Sequence, residues 1–191
     1  MCLAIYKPAG AVLPEESIRN GWIANSDGAG YAFVYKGKVV TRKGFMTLKE
    51  FMDAYSADSK KYKKSPFVVH FRIRSMGDKS PDNTHPYPIA DGVLIHNGTL
   101  DGTSAKFGEG PSDTAQFCAM FGDKLTHSWV EQNKAKLSEA VSYNKLVMLY
   151  KTGDVHIINE NLGNWHEGVW YSTYAYRGRA ANPYCNAGAA Q

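Results

Sequence analysis

The chain has 191 residues with a net charge of +4, a length that suits one domain burying most of its apolar surface. An apolar content of 43% against 21% charged residues excludes a disordered or fibrous chain. No apolar stretch approaches membrane-spanning length, and Lys7 and Pro8 interrupt the N-terminal MCLAIYKPAG too early for a signal peptide.

In chain order, CLAIY (2–6) is a short apolar run suited to a core strand. PEESIRNGW (14–22) opens with Pro and acidic residues, as a first helical turn does. GYAFVYKGKVVTRKG (30–44) reads as two strands joined at a Lys36–Gly37 turn. LKEFMDAYSADSKKY (48–62) is amphipathic, with Leu48, Phe51, Met52 and Tyr55 on one face. PFVVHFRIRS (66–75), rich in β-branched and aromatic residues, is the clearest strand. VLIHNG (93–98) is another. Helices are expected over 112–125, with Ser112 as N-cap, and over 127–141. A hairpin is expected over 145–160, turning at Thr152–Gly153–Asp154, and a last strand over 169–176. A single domain over 1–176 with a loose tail from Arg177 accounts for the whole pattern. Strands, then two helices, then strands argue for a mostly antiparallel α+β domain. No Gly-rich loop links a strand to a helix, which argues against a doubly wound fold. The basic run Lys60, Lys61, Lys63 and Lys64 has no accompanying aromatic reading motif, so direct nucleic-acid binding is not expected.

The three cysteines, Cys2, Cys118 and Cys185, fit neither a disulfide framework nor a zinc site, and they suit a reducing, cytoplasmic compartment. Cys118 reads as a buried helix residue and Cys185 as incidental. Cys2 is distinctive by position. Removal of Met1 leaves a free α-amine one bond path from a thiol. That amine, with a pKa of about 7.7–8.0, can serve as the general base for its own side chain. The bland alternative is a buried cysteine in a short strand. Attack on an amide also needs an oxyanion hole. The side chain of Asn97 and the backbone N–H of Gly98 can supply one, although Asn-Gly is also a common hairpin turn. Arg72 and Arg74, two apart on one strand, are expected to face the same side and to offer a carboxylate site, or else a solvated sheet face. Asp113, at a helix start, suits an ammonium ion or simple capping.

These segments, in this order, resemble class II glutamine amidotransferases. The resemblance rests on Cys2 after Met1, His70-Phe71-Arg72-Ile73-Arg74-Ser75-Met76-Gly77, Thr84-His85-Pro86, His96-Asn97-Gly98 and Ser112-Asp113-Thr114. Asn25 to Gly30 and Gly168 to Ser172 add to it, so it spans roughly 2–175. It implies an Ntn-hydrolase fold, a four-layer αββα sandwich of two stacked antiparallel sheets. It implies Cys2 as nucleophile and Asn97 with Gly98 as oxyanion hole. Arg72 would hold the α-carboxylate of L-glutamine and Asp113 its α-ammonium. Ser75 stands where the family usually has Thr, and Met76 where a His is common. His70, His85 and His96 are read as structural hydrogen-bonding groups rather than bases. No cofactor and no membrane are implied. With no synthase segment or nucleotide signature, the ammonia is expected to go to a separate synthase partner, or the chain to act as a simple hydrolase. Two alternatives stand beside this reading: an N-terminal-cysteine amidase with a different acyl group, with Met76 and the loop from Asp101 to Gly110 reshaping the pocket, and a catalytically silent module that docks on a partner.

Overall fold

The computed structural model describes residues 2–178; Met1, Cys185 and most of the expected tail lie outside them. In chain order the elements are β1 (Leu3–Lys7), α1 (Glu15–Ala24), β2 (Ala29–Tyr35), β3 (Lys38–Phe45), α2 (Leu48–Lys61), β4 (Phe67–Phe71), β5 (Tyr87–Ile89) and β6 (Gly92–Asn97). Then follow α3 (Asp113–Phe121), α4 (His127–Val141), β7 (Lys145–Tyr150), β8 (Val155–Ile158), β9 (Asn164–His166) and β10 (Val169–Tyr171). The chain is thus mixed α/β with two antiparallel sheets. One has six strands in the order β3-β2-β4-β1-β10-β9, the other four in the order β5-β6-β7-β8. No helix among the described residues is long and apolar enough to cross a membrane.

Local chemistry explains most boundaries. The β2–β3 hairpin turns at Lys36 (φ 50°) and Gly37 (φ 71°), a two-residue loop with both residues left-handed, which matches the twist of the flanking strands. Thr47, Ser112 and Thr126 cap α2, α3 and α4 by accepting the N–H of Glu50, Ala115 and Trp129. Two expected strands are shorter than the sequence suggests. The strand expected over 66–75 ends at Phe71: the Arg72 backbone still bonds to Gly28 and Asp27, but the Arg74 N–H goes to the Asp27 carboxylate instead of a neighbouring strand. The strand expected over 169–176 ends at Tyr171 and passes into a 3-10 turn over Tyr174–Arg177. The three-residue strands β5 and β9 carry too little pattern to be read in advance.

Both faces of the central strands are covered, and side-chain alternation sorts the core into three parts. Leu3 and Ile5 of β1, Tyr31 and Phe33 of β2, and Phe67, Val69 and Phe71 of β4 pack with Ile18 of α1 and with Phe51 and Tyr55 of α2. The intervening residues Ala4, Ala32 and Val68 meet Val93, Ile95, Val147 and Leu149 of the second sheet, with Trp170. On that sheet's other face, Leu94, Leu146, Met148 and Ile158 pack with Val130, Leu137 and Val141 of α4, and with Phe117 and Cys118 of α3. Cys118 is half-buried rather than fully buried as expected.

Candidate active site

Antiparallel register assembles the site. Leu3 pairs with Phe71 and Ala4 with His70, so the residue before β1, Cys2, comes beside the residue after β4, Arg72. In the second sheet, β6 ends at His96-Asn97, and α3 begins at Asp113. The wall of one small cleft is formed by Cys2, Arg72, Ile73, Ser75, Met76, His85, His96, Gly98, Ser112, Asp113 and Thr114. Of the six site residues expected from sequence, Cys2, Arg72, Ser75, Gly98 and Asp113 therefore share this wall. Asn97 does not line it.

The Cys2 thiol is buried and donates to the backbone carbonyl of Ile73 at 3.3 Å. Burial raises its pKa, and the Ile73 contact and the nearby Arg72 charge offset only part of that rise. The resting group is therefore a thiol, and a nucleophilic role needs a base to take its proton.

Arg72 is 3% exposed. Its guanidinium donates to the carbonyls of Asp78 and Met76, both at 2.7 Å, and among the described residues it has no carboxylate partner. Asp113 is 4% exposed. It accepts the backbone N–H of Leu100 at 2.7 Å and of Thr114 at 2.9 Å, and among the described residues no cation pairs with it. The cleft thus holds one buried cation and one buried anion, each fixed by backbone groups and neither, among the described residues, in a salt bridge. Such charges are costly unless something compensates them.

The expectation that Arg72 and Arg74 share one strand face does not hold. Arg72 is buried, whereas Arg74 stacks over the Phe107 ring at 4.6 Å and donates its backbone N–H to Asp27. Asp27 also pairs with Lys79 at 2.8 Å, so the turn after α1 anchors the 72–79 loop. Gly77 (φ 74°) lets that loop lie against Ser112, where any Cβ would crowd backbone. Ser75 sits exposed at the mouth and Met76 is half-buried beside it.

Gly98 has φ 145°, and an added Cβ would overlap the Asn144 side chain, so only glycine fits there. Asn144 in turn receives His96 Nε2 at 2.9 Å. The Asn97 amide reaches Ser172, with Nδ2 2.8 Å from its Oγ, while Asn97 Oδ1 is buried without a partner. Ser172 Oγ also accepts the Ala4 N–H at 2.9 Å, tying the end of β10 to β1 and to the Asn97 side chain. Sequence reading assigned Ser172 no role; only the register that brings β10 beside β1 shows it.

Three histidines lie behind the thiol. His70 Nε2 meets the His96 carbonyl at 2.9 Å, and His96 Nδ1 meets Thr114 Oγ1 at 2.9 Å. His85 differs from the hydrogen-bonding role expected of it: neither ring nitrogen has a partner, and its ring packs 3.8 Å from that of His70. Burial holds all three below the usual imidazole pKa, His70 at about 3. They are neutral at pH 7.

The enclosed volume is about 10 Å³, room for roughly one water, so a substrate the size of an amino acid requires the mouth at Ser75 and Met76 to open. Across the Gly98–Leu100 segment lies a larger cavity of about 450 Å³, lined by apolar residues including Leu100, Phe117, Leu125, Trp129 and Leu137 and by Asn144.

No family model and no curated protein matches the chain. Among solved structures it is similar to the glutamine phosphoribosylpyrophosphate (PRPP) amidotransferase from B. subtilis complexed with ADP and GMP. The TM-score is 0.57 at 15% identity, over 90% of this chain and 41% of that one. The chain therefore spans about two-fifths of that enzyme's length, and the likeness is one of fold.

Proposed function

We propose that this chain is a glutamine amidohydrolase whose nucleophile is Cys2, on an Ntn-hydrolase αββα sandwich formed by a single domain over residues 1–176. The carrying observation is the pair of uncompensated buried charges, Arg72 and Asp113, on the cleft wall beside the Cys2 thiol. A free amino acid carries the two charges that would satisfy them: its α-carboxylate on Arg72 and its α-ammonium on Asp113. The three core layers and the likeness to an amidotransferase fold support the architecture.

After loss of Met1, the Cys2 α-amine takes the thiol proton as Sγ attacks the side-chain amide carbon of glutamine. The C–N bond then breaks, the amine returns the proton to the leaving nitrogen, and ammonia departs from a γ-glutamyl thioester. Water, deprotonated by the same amine, attacks the thioester, and glutamate leaves with the thiol restored. The raised thiol pKa suits this order, in which the thiolate forms only during attack. The oxyanion would be met by the Gly98 N–H and the Asn97 amide. Turned over, that amide would accept the Ser172 hydroxyl proton through Oδ1, and Nδ2 would take the place of the orphaned oxygen. The two orientations have the same shape and differ only in hydrogen bonding. Ser75 would add a hydroxyl contact at the mouth. The ammonia would pass to a separate synthase protein in a cytoplasmic, reducing compartment.

Removing the nucleophile is the direct test. Cys2→Ala should lower glutamine hydrolysis on the order of 10⁴-fold or more; glutaminase activity retained in that variant ends the reading. A second reading, an amidase for a larger acyl group, draws on the apolar cavity next to Gly98 and the tight cleft. It gains if hydrolysis survives loss of both Arg72 and Asp113.

A further inference from the structure

A second cluster of chemically competent side chains lies on the four-stranded sheet, independent of the cleft. His127 and Glu131 are one helical turn apart at the start of α4, so they share a face. His156 faces them from β8. One ligating atom from each of the three lies within 4.8 Å of the other two. Glu131 Oε2 is 3.2 Å from His156 Nε2, yet the angles make no hydrogen bond, and that buried nitrogen is left without a partner. The two imidazoles stack with centroids 4.6 Å apart, and the Tyr150 ring packs edge-on to both.

We propose that His127, Glu131 and His156 bind one divalent transition-metal ion of the zinc or cobalt class. Two imidazoles and a carboxylate form a donor set suited to such ions and poorly suited to calcium or magnesium. Ligand atoms around tetrahedral zinc stand about 3.3 Å apart, given metal–ligand distances of about 2.0–2.1 Å. The cluster therefore needs to contract by only about 1.5 Å. Glu131, whose side chain is 64% exposed, has the freedom to swing in, while His156 is held by the sheet. The bound ion would satisfy the orphaned His156 nitrogen and clamp α4 onto β8. Its open positions would be filled by water, or by Asp154, whose Oδ2 lies 3.6 Å from His127 Nε2.

Titration of the full-length, tag-free protein with cobalt(II), read by visible ligand-field absorption, tests the assignment. One ion per chain should bind, with intense bands of low coordination number. Zinc should displace the cobalt and raise the Tm, since an ion that binds only the folded state stabilises it. Glu131→Gln and His127→Ala, both at accessible positions, should each weaken binding on the order of tenfold or more and reduce the zinc-dependent rise in Tm accordingly. Absence of the bands, or bands unchanged in both variants, would overturn the proposal. So would strong thiolate charge-transfer absorption, which would put the ion on a cysteine. Glutaminase activity plays no part in the readout, so the outcome is separate from the fate of the Cys2 reading.

Discussion

The two ends of the same strands behave as different materials. Along most of their length, β1, β4 and β6 bury Leu3, Ile5, Val68, Val69, Leu94 and Ile95 in apolar layers. At the end where Cys2, His70, Arg72, His96 and Asn97 lie, the buried side chains become polar or charged, and several lack a partner. The apolar body draws its stability from area removed from water. The polar end adds little of that and carries uncompensated charge. The lesson is that one frame can be stable and still present a poorly satisfied surface to a ligand, because the two demands fall on different residues of the same strands.

Acid separates the two ends most sharply. His70, His85 and His96 are neutral in the fold, His70 with its pKa near 3, but take protons below about pH 6.5 when unfolded. The unfolded state then binds more protons, so the stability these groups contribute is full above about pH 6.5 and is lost as pH falls below it; for His70, whose folded pKa is about 3, the loss approaches about 1.4 kcal/mol per pH unit. Chemical denaturation across that range should show the slope, and His85→Phe should reduce it by one proton; an unchanged slope would place the titration elsewhere. In the apolar body, Phe51→Ala should cost about 3–5 kcal/mol, measured by urea unfolding. At the polar end, Arg72→Met should invert this pattern. Its kcat/KM for glutamine should fall on the order of 10²–10³-fold, with a smaller loss of stability than Phe51→Ala. Ser172→Ala should lower kcat by roughly tenfold with little change in KM, as expected if it only orients the Asn97 amide; an equal rise in KM would argue for a role in binding. Least affected should be the exposed Arg19–Glu15 pair on α1, where Arg19→Ala should cost no more than about 0.5 kcal/mol.

What could be read in advance follows the same division. Strands and helices of the body were legible because apolar period and capping residues are local signals. Ser112 caps where its sequence context points, and the Lys36–Gly37 turn announces itself. The site was legible only as residue types. That Cys2 lies beside Arg72 depends on the pairing of Leu3 with Phe71, which no local pattern encodes. Alternation put Arg72 and Arg74 on one face, but alternation ends where the strand does. The part played by Ser172 arises from a contact with Asn97 that is 75 residues away in sequence.

The most direct test of the central claim is intact mass spectrometry of the purified protein, with and without an electrophilic glutamine analogue. The account predicts a mass lacking Met1 and a single adduct on Cys2, lost in Cys2→Ala and formed slowly in Arg72→Met. A chain that retains Met1 and stays unlabelled, or one labelled as readily on Cys118, would contradict it.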